Sequence, residues 1–273
     1  MRKAPFGEGA ERIVYQFDEA ICISGDRYKF AGLKLVAKES RFILHDEKTK
    51  ISFHETFCKT QIKAKSIAEA FNKELRTRAR FALVNLPTIT FLDCEIYVFF
   101  QGKYERGVLV EKMLDPSKYM KWNSNDGYVA GQEREYSVNL NELFEHLSIS
   151  APSNDVMLVR RTSSKELHPS AVESFKIDDI PQAFSHYSYY HSKRQLLVCD
   201  LQGVYDSSDP ENPKFEFTDP VIHHSTDSSR KHIFGRTDRG HHGICDFFRS
   251  HKCNTICRLL GLPNDVVTVS KKG

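Results

Sequence analysis

Residues 196–199 read Leu-Leu-Val-Cys, a short apolar run that exits into Asp200, Gln202 and Gly203. Its length and branching, bounded by polar residues 191–195, predict a buried strand rather than a helix. In extended backbone, positions i and i+2 point to the same side. Asp200 and Gln202 are therefore expected to face one small volume, with Gly203 letting the chain turn there. A second run, residues 215–218, ends in Asp219, and Pro220 stops it. Two carboxylates and an amide oxygen are hard ligands, suited to Mg²⁺ held together with substrate phosphates. The alternative is that Asp200 and Asp219 are only turn and cap residues.

Behind these runs, His251, Cys253 and Cys257 are spaced H-x-C-x-x-x-C. The two cysteines share a face if the segment is helical, and His186, far upstream, is the candidate fourth ligand. Structural zinc takes four tetrahedral sulfur or nitrogen ligands. The spacing is not C-x-x-C, so small buried core thiols are the competing account.

F-S-H-Y-S-Y from 184, D-L-Q-G-V from 200, T-D-P from 218, F-G-R-T-x-x-G from 234 and H-K-C-N-x-I-C from 251 follow one another in that order. Together they resemble the alpha-kinase family, the atypical protein kinases that include the elongation factor kinase, the myosin heavy chain kinases and the channel-kinases. The resemblance implies an α+β, two-lobed kinase fold. Its sheet-rich N-terminal nucleotide-binding lobe would span 1–113, and a zinc-stabilised C-terminal catalytic lobe 114–273. The implied activity is ATP-dependent transfer of the γ-phosphoryl group to serine or threonine of a protein. ATP, Mg²⁺ and Zn²⁺ are the implied cofactors.

The N-terminal half fits that outline. P-F-G-E-G-A at 5–10 is a small-residue turn before a strand-like run over 12–17, and such a loop can bring amides close to phosphate. Two glycines by themselves are as well explained by an ordinary turn. The resemblance implies that this segment covers the nucleotide, with Arg12 near the phosphates. Residues 28–39 alternate as one strand ending near Lys38. A lysine there is either solvated or, as the family's V-A-K implies, the cation that holds ATP phosphates. A helix is predicted over 64–82 from Ala64, Ile67, Phe71, Leu75 and Ala79, broken by the Asn85-Leu86-Pro87 sequence. Its Glu69 is a candidate partner for Lys38. Strands are expected over 88–91, 96–100 and 108–113. By resemblance the last leads to the hinge, with Glu111 and Met113 at the adenine site; for Met113 the alternative is core packing. Asn123 and Asn125, in a stretch close to the family's K-x-N-S-N, are expected to order the entry to the second lobe.

Further along, a short helix is expected over 139–147 and an irregular insertion over 148–181, whose R-R-T-S-S at 160–164 is treated as surface loop. A strand is expected over 183–190 and one helix over 243–260, with 266–273 a tail. The loop over 206–214 is longer than the resemblance implies. G-R-T-D-R-G at 235–240 stands where the family has G-R-T-N-L-G, a loop implied to sit near the peptide substrate. His223, His224, His241 and His242 are expected to be exposed.

A net charge of +3 argues against a dedicated nucleic-acid binder. No apolar run is long enough for a membrane span. Seven unevenly spaced cysteines without a secretory signal fit a reducing, cytoplasmic setting. The expected partner is a protein substrate, not a membrane or nucleic acid, with regulatory partners or flanking domains allowed for. The abrupt start near Pro5 is what a domain cut from a longer protein would show. On this reading Asp200 orients or deprotonates the acceptor hydroxyl, and Gln202 and Asp219 hold Mg²⁺. His186, His251, Cys253 and Cys257 bind the zinc. The rival classes are a catalytically inactive kinase-fold binding module and a zinc-dependent nucleic-acid module. Retention of Lys38, Asp200, Gln202 and Asp219 weighs against the first, and the near-neutral charge against the second.

Overall fold

Strand β1 (Gly7–Glu8) opens a five-stranded antiparallel sheet with β2 (Arg12–Phe17), β5 (Leu35–Ser40), β8 (Tyr104–Lys112) and β7 (Cys94–Gln101), in the order β1-β2-β5-β8-β7. The computed structural model behind this description covers residues 4–9, 11–25, 27–42, 47–79, 86–101, 104–130, 156–160, 172–225 and 233–264. The strand expected over 28–39 is broken. A separate hairpin, β3 (Ala20–Ser24) with β4 (Arg27–Phe30), is followed by a connection through Gly32, at φ +78°, before β5 begins. Lys38 therefore lies inside β5 rather than at its end. A glycine in the left-handed region ends the ladder despite the continuing polar/apolar alternation.

Helix α1 (Glu47–Arg78) starts well before residue 64. The buried positions of its first part are His54, Thr60 and Gln61 rather than apolar residues, which hid it from periodicity. Its end lies short of 80–82, which fall outside the described residues. The helix packs on both halves of the molecule. Ala64, Ile67, Phe71 and Leu75 join the main core, whereas Gln61 reaches Glu111 of β8 in the first sheet.

A second sheet, in the order β6-β14-β13-β9, uses β6 (Thr88–Phe91), β9 (Tyr119–Lys121), β13 (Gln202–Asp206) and β14 (Lys214–Thr218). β6 pairs parallel to β14, the others antiparallel. Hairpin β10 (Val156–Arg160) and β11 (Val172–Lys176) lies within the segment expected to be irregular. The helix expected over 139–147, Arg161–Ser164 of the R-R-T-S-S motif and the tail over 266–273 lie outside the described residues.

The F-S-H-Y-S-Y segment is a helix, α2 (Asp179–His191), not the expected strand. Its serines and aromatics favour neither state strongly, and burial on nearly every face removes the amphipathic pattern. Each face has a partner. Phe184 and Tyr187 meet Phe71 with ring centroids 5.5 and 5.4 Å apart. Ser185 accepts from Asn123, and Ser188 Oγ accepts the Val198 amide. That amide belongs to β12 (Leu196–Cys199), which pairs with β15 (Val221–His224). Trp122 completes the core, its ring centroid 5.3 Å from that of Phe215 and 5.2 Å from that of Phe217.

The helix expected over 243–260 is two, α3 (Gly240–Ser250) and α4 (Thr255–Leu259). The chain leaves helical geometry at His251, with ψ 127°, and the break carries His251 and Cys253 into the cluster described below. α3 packs on β15 so closely that a Cβ at Gly243 would run into the His223 ring. His223 is accordingly fully buried, not exposed as expected; His224 and His241 are half-buried and His242 exposed. Among the described residues no helix is long and apolar enough to cross a membrane.

Gly203 lies within β13, at φ +152°, rather than in a turn. A Cβ there would run into the Glu216 carbonyl of β14. Gly203→Ala is expected to destabilise the fold by about 2–4 kcal/mol through backbone strain and a displaced ladder. Urea unfolding followed by circular dichroism measures it, and a loss below about 0.5 kcal/mol would show that the ladder relaxes freely.

Candidate active site and metal centre

Alternation along β2, β5 and β8 puts Arg12, Val14, Val36, Lys38 and Glu111 on one face of the first sheet. The register sets Val14 opposite Lys38 and Val36 opposite Glu111. The three charged side chains are buried, and they are paired. Lys38 Nζ lies 2.5 Å from Glu111 Oε1, 2.8 Å from Asp219 Oδ2 and 3.0 Å from Thr218 Oγ1. Thr218 Oγ1 in turn donates a hydrogen bond to Glu111 Oε1 at 2.8 Å. Arg12 pairs with the other Asp219 oxygen and stacks on Phe57, 3.8 Å from the ring centroid. Two cations and two carboxylates thus neutralise one another in a space where any one alone would be costly.

Glu69 is not the partner of Lys38; it is exposed on α1, in a groove with Lys65 and Lys73. Glu111 takes that place because β8 lies beside β5, whereas the exposed face of α1 turns away. The helix contributes Gln61 instead. Gln61 Nε2 donates to the Leu92 carbonyl at 2.7 Å and Oε1 accepts the Asp219 amide at 3.1 Å. Nothing in the sequence marked Gln61, because that part of the helix was not foreseen. Thr218 was visible as the first residue of T-D-P.

Burial by itself would raise the Asp219 pKa, but Arg12 and Lys38 outweigh it and hold the carboxyl down to about 2. Asp200 behaves in the opposite sense. Burial raises its pKa, and Lys121, with Nζ 2.6 Å from Oδ1, only partly offsets this. Gln202 Nε2 donates to Asp200 Oδ2 at 3.2 Å, which turns its carbonyl oxygen the other way. The two side chains do meet as expected, yet not through extended backbone, since Asp200 sits at φ +58° and Asp219 at φ +53°. Left-handed backbone is uncommon outside glycine and needs support from its surroundings. At Asp200 that support comes from the next residue. Leu201 donates to Asn123 Oδ1 at 3.0 Å and accepts from the Trp122 amide at 2.8 Å. Asn123 thus orders this junction. Asn125 offers its carbonyl to His223 Nε2 and to Arg239, 3.1 and 3.0 Å away.

Beside the charge cluster lies a cleft of about 420 Å³, lined among others by Val14, Val36, Met113, Leu114, Tyr119 and Asp219. Its volume and largely apolar walls suit a small organic ligand, and Lys38 and Glu111 stand at its polar end. The 235–240 loop is tied down at its second half. His223 Nδ1 accepts the Arg239 amide at 3.0 Å, and the Arg239 guanidinium reaches Asp246 at 2.5 Å.

His186, His251, Cys253 and Cys257 converge between α2 and α4, their ligating atoms all within 4.8 Å of one another. His186 Nδ1 lies 3.1 Å from His251 Nε2 and 3.6 Å from Cys253 Sγ, and Cys257 Sγ lies 3.6 Å from His251 Nε2. Burial, with His186 adding to it, pushes the His251 pKa down to about 3, so this ring is neutral and able to ligate. Asn254 holds the far side, accepting the Cys257 amide and donating to the Asp179 carbonyl at 3.0 and 2.8 Å.

Comparison with known proteins agrees with this architecture. A model of the alpha-kinase family matches residues 7–257. Alpha-protein kinase vwkA of Dictyostelium discoideum is 29% identical over 258 residues, covering 94% of this chain and 30% of that protein. Human eukaryotic elongation factor 2 kinase is 43% identical over 82 residues, 30% of this chain and 10% of that protein. The chain thus spans under a third of the length of these relatives. Among solved structures, an alpha kinase from Entamoeba histolytica superposes with a TM-score of 0.62 at 22% identity, covering 98% of this chain and 79% of that one. The alpha-kinase domain of myosin heavy chain kinase A in complex with ADP gives 0.57 at 22% identity, covering 97% and 87%.

The depressed Asp219 pKa has a measurable consequence. A free aspartate titrates near ~3.9, so ionised Asp219 stabilises the fold above about pH 4, and this contribution is lost as pH falls through about 2. Melting temperature followed from pH 5 to 2 is expected to fall more steeply in the wild type than in Asp219→Asn. Parallel curves would show that the cluster adds no pH-dependent stability.

Proposed function

The chain belongs to the alpha-kinase family, and we propose that it transfers the γ-phosphoryl group of ATP to a serine or threonine hydroxyl of a protein substrate. The observation that carries this reading is the joining of Arg12, Lys38, Glu111 and Asp219 at the polar end of an apolar cleft. The same proposal divides the domain into a nucleotide-binding lobe over 1–113 and a catalytic lobe over 114–273, with Met113 at their junction.

In this reading the adenine sits between Val14, Val36 and Met113. Lys38 and Arg12 contact the phosphates, and Glu111 with Thr218 holds the Lys38 ammonium in place. Asp219, kept ionised by its cationic neighbours, and the outward oxygen of Gln202 form a hard-oxygen pair suited to Mg²⁺. When bound, that ion would neutralise charge on the phosphates. Asp200 orients the acceptor hydroxyl and takes its proton as the oxygen attacks the γ-phosphorus and the bond to the bridging oxygen breaks. Its raised pKa improves it as a proton acceptor. Lys121 and Gln202 fix its rotamer, and the strained backbone aims it. Positioning and charge supply most of the rate in such transfers.

Transfer of radiolabel from ATP to a generic basic protein, followed by phosphoamino-acid analysis, tests the reading. Phosphoserine or phosphothreonine is expected, and a dominant phosphotyrosine signal overturns the specificity. Lys38→Ala and Asp200→Asn are each expected to lower transfer by about 100-fold or more. Asp200→Asn is also expected to hold or raise the melting temperature at neutral pH, because it removes a carboxylate whose ionisation burial opposes. Undiminished transfer by either variant sinks the assignment.

The same proposal gives His186, His251, Cys253 and Cys257 to a structural zinc. Tetrahedral zinc, with bonds of roughly 2.0–2.1 Å to nitrogen and ~2.3 Å to sulfur, sets its ligand atoms roughly 3.3–3.8 Å apart. Three of the six spacings, at 3.1, 3.6 and 3.6 Å, are close to that tetrahedron, and all six lie within 4.8 Å. A closed set of protein ligands leaves no position for chemistry, so the ion would join α2 to α4. One zinc per chain is expected by elemental analysis. Its removal, or Cys257→Ser, should lower the melting temperature by 10 °C or more, on the order of the large binding energies of such sites. A well-folded, active sample with a zinc ratio near zero would falsify the site.

A further inference from the structure

Two cysteines outside the metal cluster lie against each other beside the charge network. Cys58, on α1, and Cys94, the first residue of β7, have their sulfurs 3.3 Å apart, and both are half-buried. From this geometry we propose that Cys58 and Cys94 form a peroxide-reactive dithiol whose closure to a disulfide reversibly weakens nucleotide binding. The effect on nucleotide rests on the reading of the cleft given above; the reactivity of the pair does not.

Position supports the reactivity. Of the remaining cysteines, Cys253 and Cys257 lie together but within the histidine–cysteine cluster, Cys199 and Cys245 are buried, and Cys22 is at the exposed hairpin. The Cys94 thiol donates to the Cys58 sulfur. That hydrogen bond, opposed by burial and helped by Arg12, lowers the Cys58 pKa, whereas the same hydrogen bond, with burial adding to it, raises that of Cys94. A low-pKa thiol next to a protonated one is the pairing that attacks peroxide and then resolves.

The step balances with hydrogen peroxide as oxidant. The Cys58 thiolate attacks one peroxide oxygen and the O–O bond breaks. The leaving hydroxide takes a proton to become water, and Cys58 becomes a sulfenic acid. The Cys94 sulfur then attacks the Cys58 sulfur. An S–S bond forms, the S–O bond breaks, and a second water leaves with the Cys94 proton. Two thiols lose two electrons and two protons; one peroxide becomes two waters.

The surroundings transmit the closure. A disulfide sets its sulfurs ~2.05 Å apart, so the pair must draw together by more than an ångström. Cys58 precedes Gln61 by one turn of α1, and follows Phe57, on which Arg12 stacks. Cys94 is opposite Glu111 in the β7–β8 register and two residues from Leu92, whose carbonyl holds Gln61. Pulling α1 onto β7 thus displaces Gln61, and with it the Asp219 amide, and moves the strand that holds Lys38 through Glu111. Misplacement on that scale at a positioning network can cost orders of magnitude.

The purified chain, with its metal, is treated with hydrogen peroxide and then with dithiothreitol. Non-reducing peptide mapping by mass spectrometry reads the crosslink. Affinity for a fluorescent methylanthraniloyl-ADP probe reads the consequence. A Cys58–Cys94 peptide and a tenfold or greater loss of probe affinity, both reversed by dithiothreitol, are expected. Cys58→Ser and Cys94→Ser should bind the probe as the wild type does and keep that affinity after peroxide. Absence of the crosslink overturns the proposal, as does a crosslinked chain with unchanged affinity or a Cys58→Ser variant that still loses affinity. If the reduced wild type fails to bind the probe, the functional reading has failed. The crosslink and a dithiothreitol-reversible shift in melting temperature, absent from both serine variants, then decide the dithiol by themselves.

Discussion

The contact of Lys38 with Glu111 and Asp219 is where the five-stranded and four-stranded sheets meet. Lys38 comes from the middle of the first sheet, and Asp219 from the turn that leaves β14 in the second. An ammonium buried this deeply is tolerated only with charge partners in place, so the cluster fixes how the first sheet sits over the β14–β15 turn. It also explains two otherwise unfavourable features. Asp219 keeps a left-handed backbone because Gln61 takes its amide while Arg12 and Lys38 take its carboxylate. Thr218 is buried because its hydroxyl is both acceptor from Lys38 and donor to Glu111. Removing any member leaves a buried charge or donor unpaired, which costs more than the pair contributes.

Around that contact the rest of the molecule supplies rigidity. Helix α2 uses its serines to hold Asn123 and β12, its aromatics to meet α1, and His186 to meet the break between α3 and α4. Asn123 in turn holds Leu201, so the aromatic core and the Asp200 junction are one hydrogen-bonded unit. The histidine–cysteine cluster meets the same helix at His186, between Ser185 and Ser188. A metal bound there, as proposed, would stiffen the support of Asp200 without touching it, which is the relation expected between a positioned carboxylate and the packing behind it.

Much of this was legible where local chemistry dictates structure. β2 was bounded correctly as the strand-like run after the small-residue turn, and T-D-P, D-L-Q-G-V and the histidine–cysteine spacing pointed to residues that do come together. What was not legible depended on contacts distant in sequence. The F-S-H-Y-S-Y segment is helical because partners on all sides absorb its serines and rings, and no periodicity records that. Lys38 was matched to a helix glutamate by analogy with other kinases, but strand adjacency gives it Glu111 from β8. His223 looked like a surface residue in a polar stretch. It is buried because Gly243 has no side chain and lets α3 close over it. Each of these needs a pairing partner that only the fold names.

Helix α1 shows why the site and the core are not separate questions. Its last turns are locked into the aromatic core by Phe71 and Leu75, while Phe57, Cys58 and Gln61 lie nearer its start, against Arg12, Cys94 and the Asp219 amide. A helix is stiff along its axis, so a displacement at the start either strains the core or rotates the helix about it. Packed interiors resist small continuous deformation. The lower-cost response is for the polar contacts at the start to break, and those are the contacts that hold Asp219 and Glu111. Sensitivity to changes along the α1–β7 seam is therefore built into the way one helix serves both the core and the charge cluster.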